Sequence, residues 1–302
     1  MGLVTIRILF GRAPIQHSGF LDRSNWRKCF RILLLCPLLV SCTVFQITYS
    51  TADWIVLWKL DGYFNFSASQ EKYLDSQVKA FHIWHRHQQL PLYAQFLRHV
   101  DQFAKDELSP EELQSIIASV EKFRVLLARQ ASPPGAEFMA MVTPSQIQHL
   151  EEALDQDYRR LVSEAGNESE KRLVKRIAVT SENLTNWVGK LSVEQEAYIR
   201  ERVEEIPDAT DVWLAYRRNR QKKLLDLLRS SHDPLILERG LYQWMADWKT
   251  GTTAESLPAL EEWREEITQA VLDIDRMLTR DQRAHFSRKL EGLIQEIQEL
   301  VG

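Results

Sequence analysis

The chain has 302 residues, 44% hydrophobic and 26% charged, an ordinary globular composition with enough apolar material for a large core, and its 11 glycines favour long helices over a turn-rich β fold. The net charge of −4 hides an asymmetry: residues 1–41 hold Arg7, Arg12, Arg23, Arg27, Lys28 and Arg31 against Asp22, so taking these from totals of 38 basic and 42 acidic residues leaves 32 and 41, a net of −9. So acidic a body excludes general nucleic-acid binding, which needs a basic surface to displace phosphate counterions.

The first element has the order of an export signal. Basic Arg27, Lys28 and Arg31 lead into the apolar run Ile32–Val40 and then small Ser41. Nine apolar residues are too few to span a bilayer. The sequence Leu39-Val40-Ser41-Cys42 resembles the bacterial lipobox, in which the cysteine is diacylated and becomes the first residue of the mature chain. That resemblance implies a palmitate-type lipid on Cys42, a signal over 1–41 and a periplasm-facing domain over 42–302. Because Thr43 rather than an aspartate follows the cysteine, it also implies sorting to the outer membrane. The alternative is an uncleaved signal anchor, since no charge occurs from Ile32 through Ala52. Cys29 and Cys36 lie in the segment expected to be removed, which leaves Cys42 alone, without C-x-x-C pairs or an internal disulfide.

Beyond Cys42 apolar residues recur at helical spacing, as in Leu113, Ile116, Ile117, Val120, Phe123 and Leu127, and no stretch alternates with a period of two. The pattern predicts helices over 52–62, 68–87, 91–105, 110–130, 144–165, 168–188, 193–205, 209–230, 234–249, 257–276 and 280–300. The expected fold is all-α, an elongated multi-helix bundle of about ten helices. Pro91, Pro133-Pro134-Gly135, Pro207, Pro234 and Pro258 punctuate it, and the Pro-Pro-Gly run suggests a sub-boundary near 131–142.

A short phrase recurs where helices should begin. Ser67 with Gln70, Ser109 with Glu112, Thr143 with Gln146, Ser192 with Gln195 and Thr279 with Gln282 each form a capping box: the hydroxyl accepts from the backbone three residues on, and the Glu or Gln reaches back. The intervals between copies are irregular, so this is not a fixed-period solenoid. Leu278-Thr279-Arg280-Asp281-Gln282 also resembles the L-T-x-x-Q motif of Spy-type periplasmic chaperones, which implies a client-holding activity as one reading.

A broader resemblance rests on larger pieces: Ala52-Asp53-Trp54, Leu57-Trp58, Leu60-Asp61, Trp84-His85-Arg86, Leu90-Pro91, Trp187-Val188-Gly189-Lys190-Leu191-Ser192 and Trp213-Leu214-Ala215-Tyr216-Arg217. Together with the lipobox these are similar to a family of helical lipoproteins of Gram-negative bacteria whose function is unknown. The likeness implies compartment and fold, and carries no activity or functional residue.

The candidate sites are few. His82 and His85, at i, i+3 within a group that includes His87 and His99, could share a metal, although no matching carboxylate or thiolate set accompanies them; aromatic packing beside Trp84 is the plainer reading. Trp54 and Trp58 either cap the core of the first helix pair, the favoured reading, or sit at a lipid interface. Basic runs at Lys171, Arg172, Lys175 and Arg176 and at Arg217, Arg218, Arg220, Lys222 and Lys223 read as solvated helix faces, with anionic headgroups or an acidic partner as the alternative. Glu261, Glu262, Glu265 and Glu266 read as exposed helix. No nucleophile elbow, phosphate-binding loop or dinucleotide fingerprint occurs. The expectation is therefore a non-enzymatic periplasmic lipoprotein of the outer membrane, with no cofactor beyond its covalent lipid, anchored to the membrane and acting on a protein partner or client. A holdase, and a metal-binding or hydrolytic protein using the His82–His99 region, are the alternatives.

Overall fold

A computed structural model describes residues 44–302, and the lipobox Leu39, Val40, Ser41 and Cys42 lies outside them. The chain divides into two units between Ser50 and Thr51. Of the first, the described part is helix α1, Val44–Ser50, where Phe45 and Tyr49 stack at 6.4 Å, a short element the periodicity did not predict.

The second unit is a multi-helix all-α fold. Its helices are α2 (Ala52–Phe64), α3 (Ala68–Trp84), α4 (Leu90–Phe103), α5 (Pro110–Ala140), α6 (Pro144–Ala165), α7 (Ser169–Val188), α8 (Val193–Glu205), α9 (Thr210–Ser230), α10 (Pro234–Ala246), α11 (Ser256–Arg276) and α12 (Arg280–Val301). Among the described residues no strand occurs, and no helix is long and apolar enough to cross a membrane. The predicted bounds hold to within a few residues for most elements, and for α6 and α8 they coincide with those observed.

Two proline signals misled. The chain does not break before Pro91: His85–Gln89 forms a π-helical turn that joins α3 to α4, with the Leu90 N–H donating to the His85 carbonyl. Pro91 has no N–H and its ring would crowd the carbonyl four residues back; a widened turn relieves both at once. Nor does the helix stop at 130. α5 continues through Pro133 and Pro134, so the Pro-Pro-Gly run that suggested a boundary is helix interior and the turn comes at Met141–Val142. The carbonyls of Arg129 and Gln130, deprived of their usual donors, belong to exposed residues, where hydration offsets the loss. On the opposite side α10 packs along α5, with Ala128 and Ala136 fully buried and Gly135 against Leu241; that contact fixes the helix past its prolines.

One apolar cluster gathers Phe64, Leu74, Phe138, Met139, Ile147, Leu150, Leu225, Leu228 and Leu237 from α2, α3, α5, α6, α9 and α10. Phe138 meets Phe64 and Phe66 edge-on at 5.0 and 5.4 Å. A second gathers Val188, Leu191, Ile199 and Val203, with Ile274 and Leu278 against them, from α7, α8 and the α11–α12 turn.

One close approach gives a sharp test. A Cβ on Gly251, in the 3-10 turn Trp248–Gly251, would lie 2.6 Å from both the backbone carbonyl and the ring of Tyr216 in α9. Gly251→Ala is expected to cost about 2 kcal/mol, as overpacking against backbone does. Gly292→Ala, with nothing within 4 Å of the new carbon in α12, is expected to stabilise by up to about 1 kcal/mol through helix propensity. Thermal unfolding of both variants should move in opposite directions.

Candidate functional site

All five capping boxes form. In each, the Ser or Thr side chain accepts from the backbone N–H of the third residue on, and that residue's side chain accepts from the cap N–H. Four of them do something further, which the spacing of the phrase did not show. Gln70 and Gln146 face each other in the interior, each Nε2 donating to the other's Oε1, at 3.0 and 2.7 Å. The second proton of each amide crosses to the turn preceding the partner's box: Gln70 donates to the Met141 carbonyl at 2.9 Å, and Gln146 to the Asn65 carbonyl at 3.1 Å. Each Oε1 also accepts from its own cap N–H, Ser67 at 2.9 Å and Thr143 at 3.0 Å. A glutamine amide has two protons to donate and two lone pairs to accept with, and here all four are used.

The same joint is built a second time. Gln195 and Gln282 exchange amide bonds at 2.9 and 2.8 Å; Gln195 donates to the Met277 carbonyl and Gln282 to the Lys190 carbonyl, both at 2.9 Å. Each carbonyl stands two residues before a cap, as Asn65 and Met141 stand before Ser67 and Thr143. Two helix hairpins, α2–α3 and α5–α6, are thus clasped turn to turn, and so are α7–α8 and α11–α12. All four glutamines are buried. Their side chains serve an internal joint. Ser109 and Glu112 stand apart because a carboxylate has no proton to donate into such an exchange.

The histidines divide. His87 and His99 are exposed, whereas His82 and His85 are half-buried at the start of the π turn. The His85 ring meets Tyr93 edge-on at 5.5 Å and lies 6.3 Å from Phe81, while Tyr93 and Phe96 both pack on Phe123. Burial, and then the neighbouring His82, push the His85 imidazole down to about 4. Among the described residues no group of three or more His, Cys, Asp or Glu is placed to hold a metal ion, so His82 and His85 gain no third ligand. The geometry is that of a neutral ring in an aromatic stack.

That arrangement carries a pH dependence with a definite sign. A histidine whose folded pKa lies below its unfolded value of about 6.5 supports the fold while neutral and loses that support as the pH falls from about 6.5 towards 4. The half-exposed ring reduces the effect to roughly 2 kcal/mol. Replacing it, as in His85→Phe, should remove that share of the acid-side loss, seen as a smaller difference in unfolding free energy between pH 7 and pH 4.5 than in the unaltered chain.

Trp54 and Trp58 depart from the favoured expectation. They are not core: each is 64% exposed, and they stack on each other at 6.5 Å on the outer side of α2. Leu57, Leu60 and Tyr63 supply that helix's inward face instead. The two indoles line an open groove with Leu57, Asp61, Phe66, Ala68, Glu71, Lys72 and Asp75.

The basic runs divide: Lys171, Lys175, Lys222 and Lys223 stay on exposed helix faces, as expected, while the arginines turn to contacts within the protein. Arg172 pairs with Asp208 at 2.8 Å, and Arg176 donates to the carbonyls of Val203 and Ile206 at the end of α8. Arg218 pairs with Asp155, and Arg220 donates to the Trp244 carbonyl at 2.7 Å while lying 4.3 Å over that indole ring. Cations at helix C-termini satisfy the last carbonyls and oppose the dipole. Besides Tyr73, whose hydroxyl donates to Glu137 at 2.7 Å, two more tyrosines hold carboxylates in pairs not legible beforehand: the Tyr63 hydroxyl donates to Asp157, and that of Tyr198 to Asp273 at 2.8 Å. Burial first, and then the carboxylate, raise the Tyr63 and Tyr198 phenols to about 12, which makes them structural donors rather than acids at neutral pH.

Comparison with known sequences fits the likeness noted from the tryptophan and proline landmarks. A model of a "Family of unknown function (DUF6279)" matches residues 62–255. The chain belongs to that family. The DUF6279 match contains the whole Gln70–Gln146 joint, and of the second joint it contains Gln195 but not Gln282. No curated protein and no solved structure matches the chain.

Proposed function

We propose that this DUF6279 chain is a lipid-anchored protein of the cell envelope, facing the periplasm from the outer membrane, and that it works through contacts with other proteins rather than by catalysis. The observation that carries the reading is the sequence from Arg27 to Cys42: basic residues, then the nine-residue apolar run Ile32–Val40, whose last two residues with Ser41 make up Leu39-Val40-Ser41 before the cysteine. Thr43 after the cysteine supports the outer membrane. The covalent lipid is the only attached group the reading needs. The non-catalytic part is supported by how the polar side chains are used: the buried glutamines, the paired tyrosines and the arginines Arg172, Arg176 and Arg220 are committed to joints within the fold.

Cys42→Ala decides the anchor. With labelled palmitate and membrane fractionation, the unaltered chain is expected to take up label and sediment with outer membranes, and the variant to do neither. A variant that still incorporates palmitate and stays with membranes would overturn the lipobox and favour a signal anchor.

A further inference from the structure

We infer that the Trp54–Trp58 face of α2 is a membrane-contact surface, a docking site for the headgroup region of a bilayer rich in amine-bearing zwitterionic lipids. The inference rests on the lipid tether at Cys42 and adds to it a second point of attachment. Among the described residues these are the only exposed tryptophans; the remaining exposed large apolar side chains are aliphatic residues or methionine. Two indoles, each 64% exposed, leave aromatic surface that the fold does not cover. At a membrane surface that cost vanishes, because an indole places its ring among the acyl carbonyls and its N–H in the headgroup layer.

Position supports the same occupant. Trp54 lies twelve residues after Cys42, and even a fully extended segment of that length reaches no more than about 43 Å. No charge occurs from Thr43 through Ala52, so nothing in the intervening sequence opposes approach to the bilayer. A lipid on Cys42 therefore holds the indoles at high local concentration against the membrane, where two weak attachments act as one stronger one.

The groove beside the rings indicates which headgroup. Asp61, Glu71 and Asp75 line it against Lys72 alone. Asp75 pairs with Lys79 at 2.8 Å, and an Asp61 oxygen accepts from the Phe66 N–H, which leaves the rim acidic on balance. A purely anionic surface would be repelled there, whereas an ethanolamine headgroup brings an ammonium group that carboxylates and indole faces both accept.

The test uses the full chain, extracted from membranes and returned to vesicles of phosphatidylethanolamine and phosphatidylglycerol whose acyl chains are brominated, since bromine quenches indole fluorescence only at short range. The expected result is a quenched component that disappears in Trp54→Phe/Trp58→Phe, a change of two exposed side chains that leaves the inward residues of α2 untouched. Equal quenching in both proteins, or none in the unaltered chain while its intact mass shows the lipid, overturns the surface and leaves the tether standing. If the intact mass shows no lipid, the tether is wrong; quenching on mixing with the same vesicles then still supports the surface, and its absence removes both. Dimerisation that the double variant abolishes, without quenching, assigns the face to a second copy and overturns the inference.

Discussion

Gln70→Leu is expected to destabilise the protein by about 3–5 kcal/mol in urea unfolding followed by circular dichroism. Three losses add. The cap of α3 loses its reciprocal half, worth about 1 kcal/mol. The Met141 carbonyl loses the donor that crosses the joint, and the Gln146 amide is left with one proton and one lone pair unmatched in the interior, each stranded group costing about 1–3 kcal/mol. Against a total stability of about 5–15 kcal/mol this is a large fraction. Gln70→Leu/Gln146→Leu should cost clearly less than the two single changes summed, because the second substitution removes the groups that the first one stranded. Gln70→Glu separates capping from clasping. It preserves the box as Ser109 and Glu112 show it, but sets a buried carboxylate oxygen against the Met141 carbonyl, so it should be as damaging as leucine at pH 7. It should then recover part of the loss as the pH falls through the raised pKa of that carboxyl and a proton becomes available to donate. Single variants within about 1 kcal/mol of the unaltered protein, or strict additivity in the double, would remove the clasp as a unit of stability.

That joint also shows where sequence reading stops. A capping box is a local device, set by residues three apart, and its chemistry starts a helix whatever surrounds it; hence Ser192-Val193-Glu194-Gln195 and Thr143-Pro144-Ser145-Gln146 located α8 and α6 to the residue. The exchange between Gln195 and Gln282 joins positions 87 apart, and nothing in either phrase specifies its partner. The one hint was the choice of Gln over Glu in four of five copies. Pro91 and Pro133-Pro134 failed for the converse reason: the local rule was read correctly, and packing against α10 and a π turn outweighed it. The apolar residues around much of α2 point Trp54 and Trp58 to the core, yet apolar character all round a helix fixes which faces can be buried, not how many neighbours arrive to bury them. The basic run around Arg220 reads as a solvated face until Trp244 and its carbonyl, contributed by α10, are seen beneath it.

The fifth box is held by a different chemistry, and its disruption is expected to rival that of the clasp. Asp275, near the end of α11, and Arg283, in the first turns of α12, form an ion pair at 2.9 Å with side chains only 12% and 14% exposed. The carboxylate also accepts from the Leu108 N–H at 2.7 Å, just ahead of Ser109, and the guanidinium donates to the Ala104 carbonyl at the end of α4. A negative charge thus does for the α4–α5 turn what a glutamine does for the others: it brings a distant turn onto the α11–α12 corner, where Arg276 adds an outer contact to Glu107 at 2.9 Å. Asp275→Ala leaves the guanidinium buried without its counter-charge and the Leu108 N–H without an acceptor, and should cost about 3–5 kcal/mol. Arg283→Met strands the carboxylate in the same way and should cost a similar amount. Asp275→Leu/Arg283→Met removes both charges together and should be less damaging than either single change, because desolvating two ions consumes most of what their attraction returns. Exchange of the Leu108 and Ser109 amide protons locates the effect: it should accelerate in Asp275→Ala well before global unfolding, while the amides of Ser67 and Gln70 stay protected. If those four amides respond alike, the α4–α5 turn is not held at this corner, and Asp275 acts only through the fold as a whole.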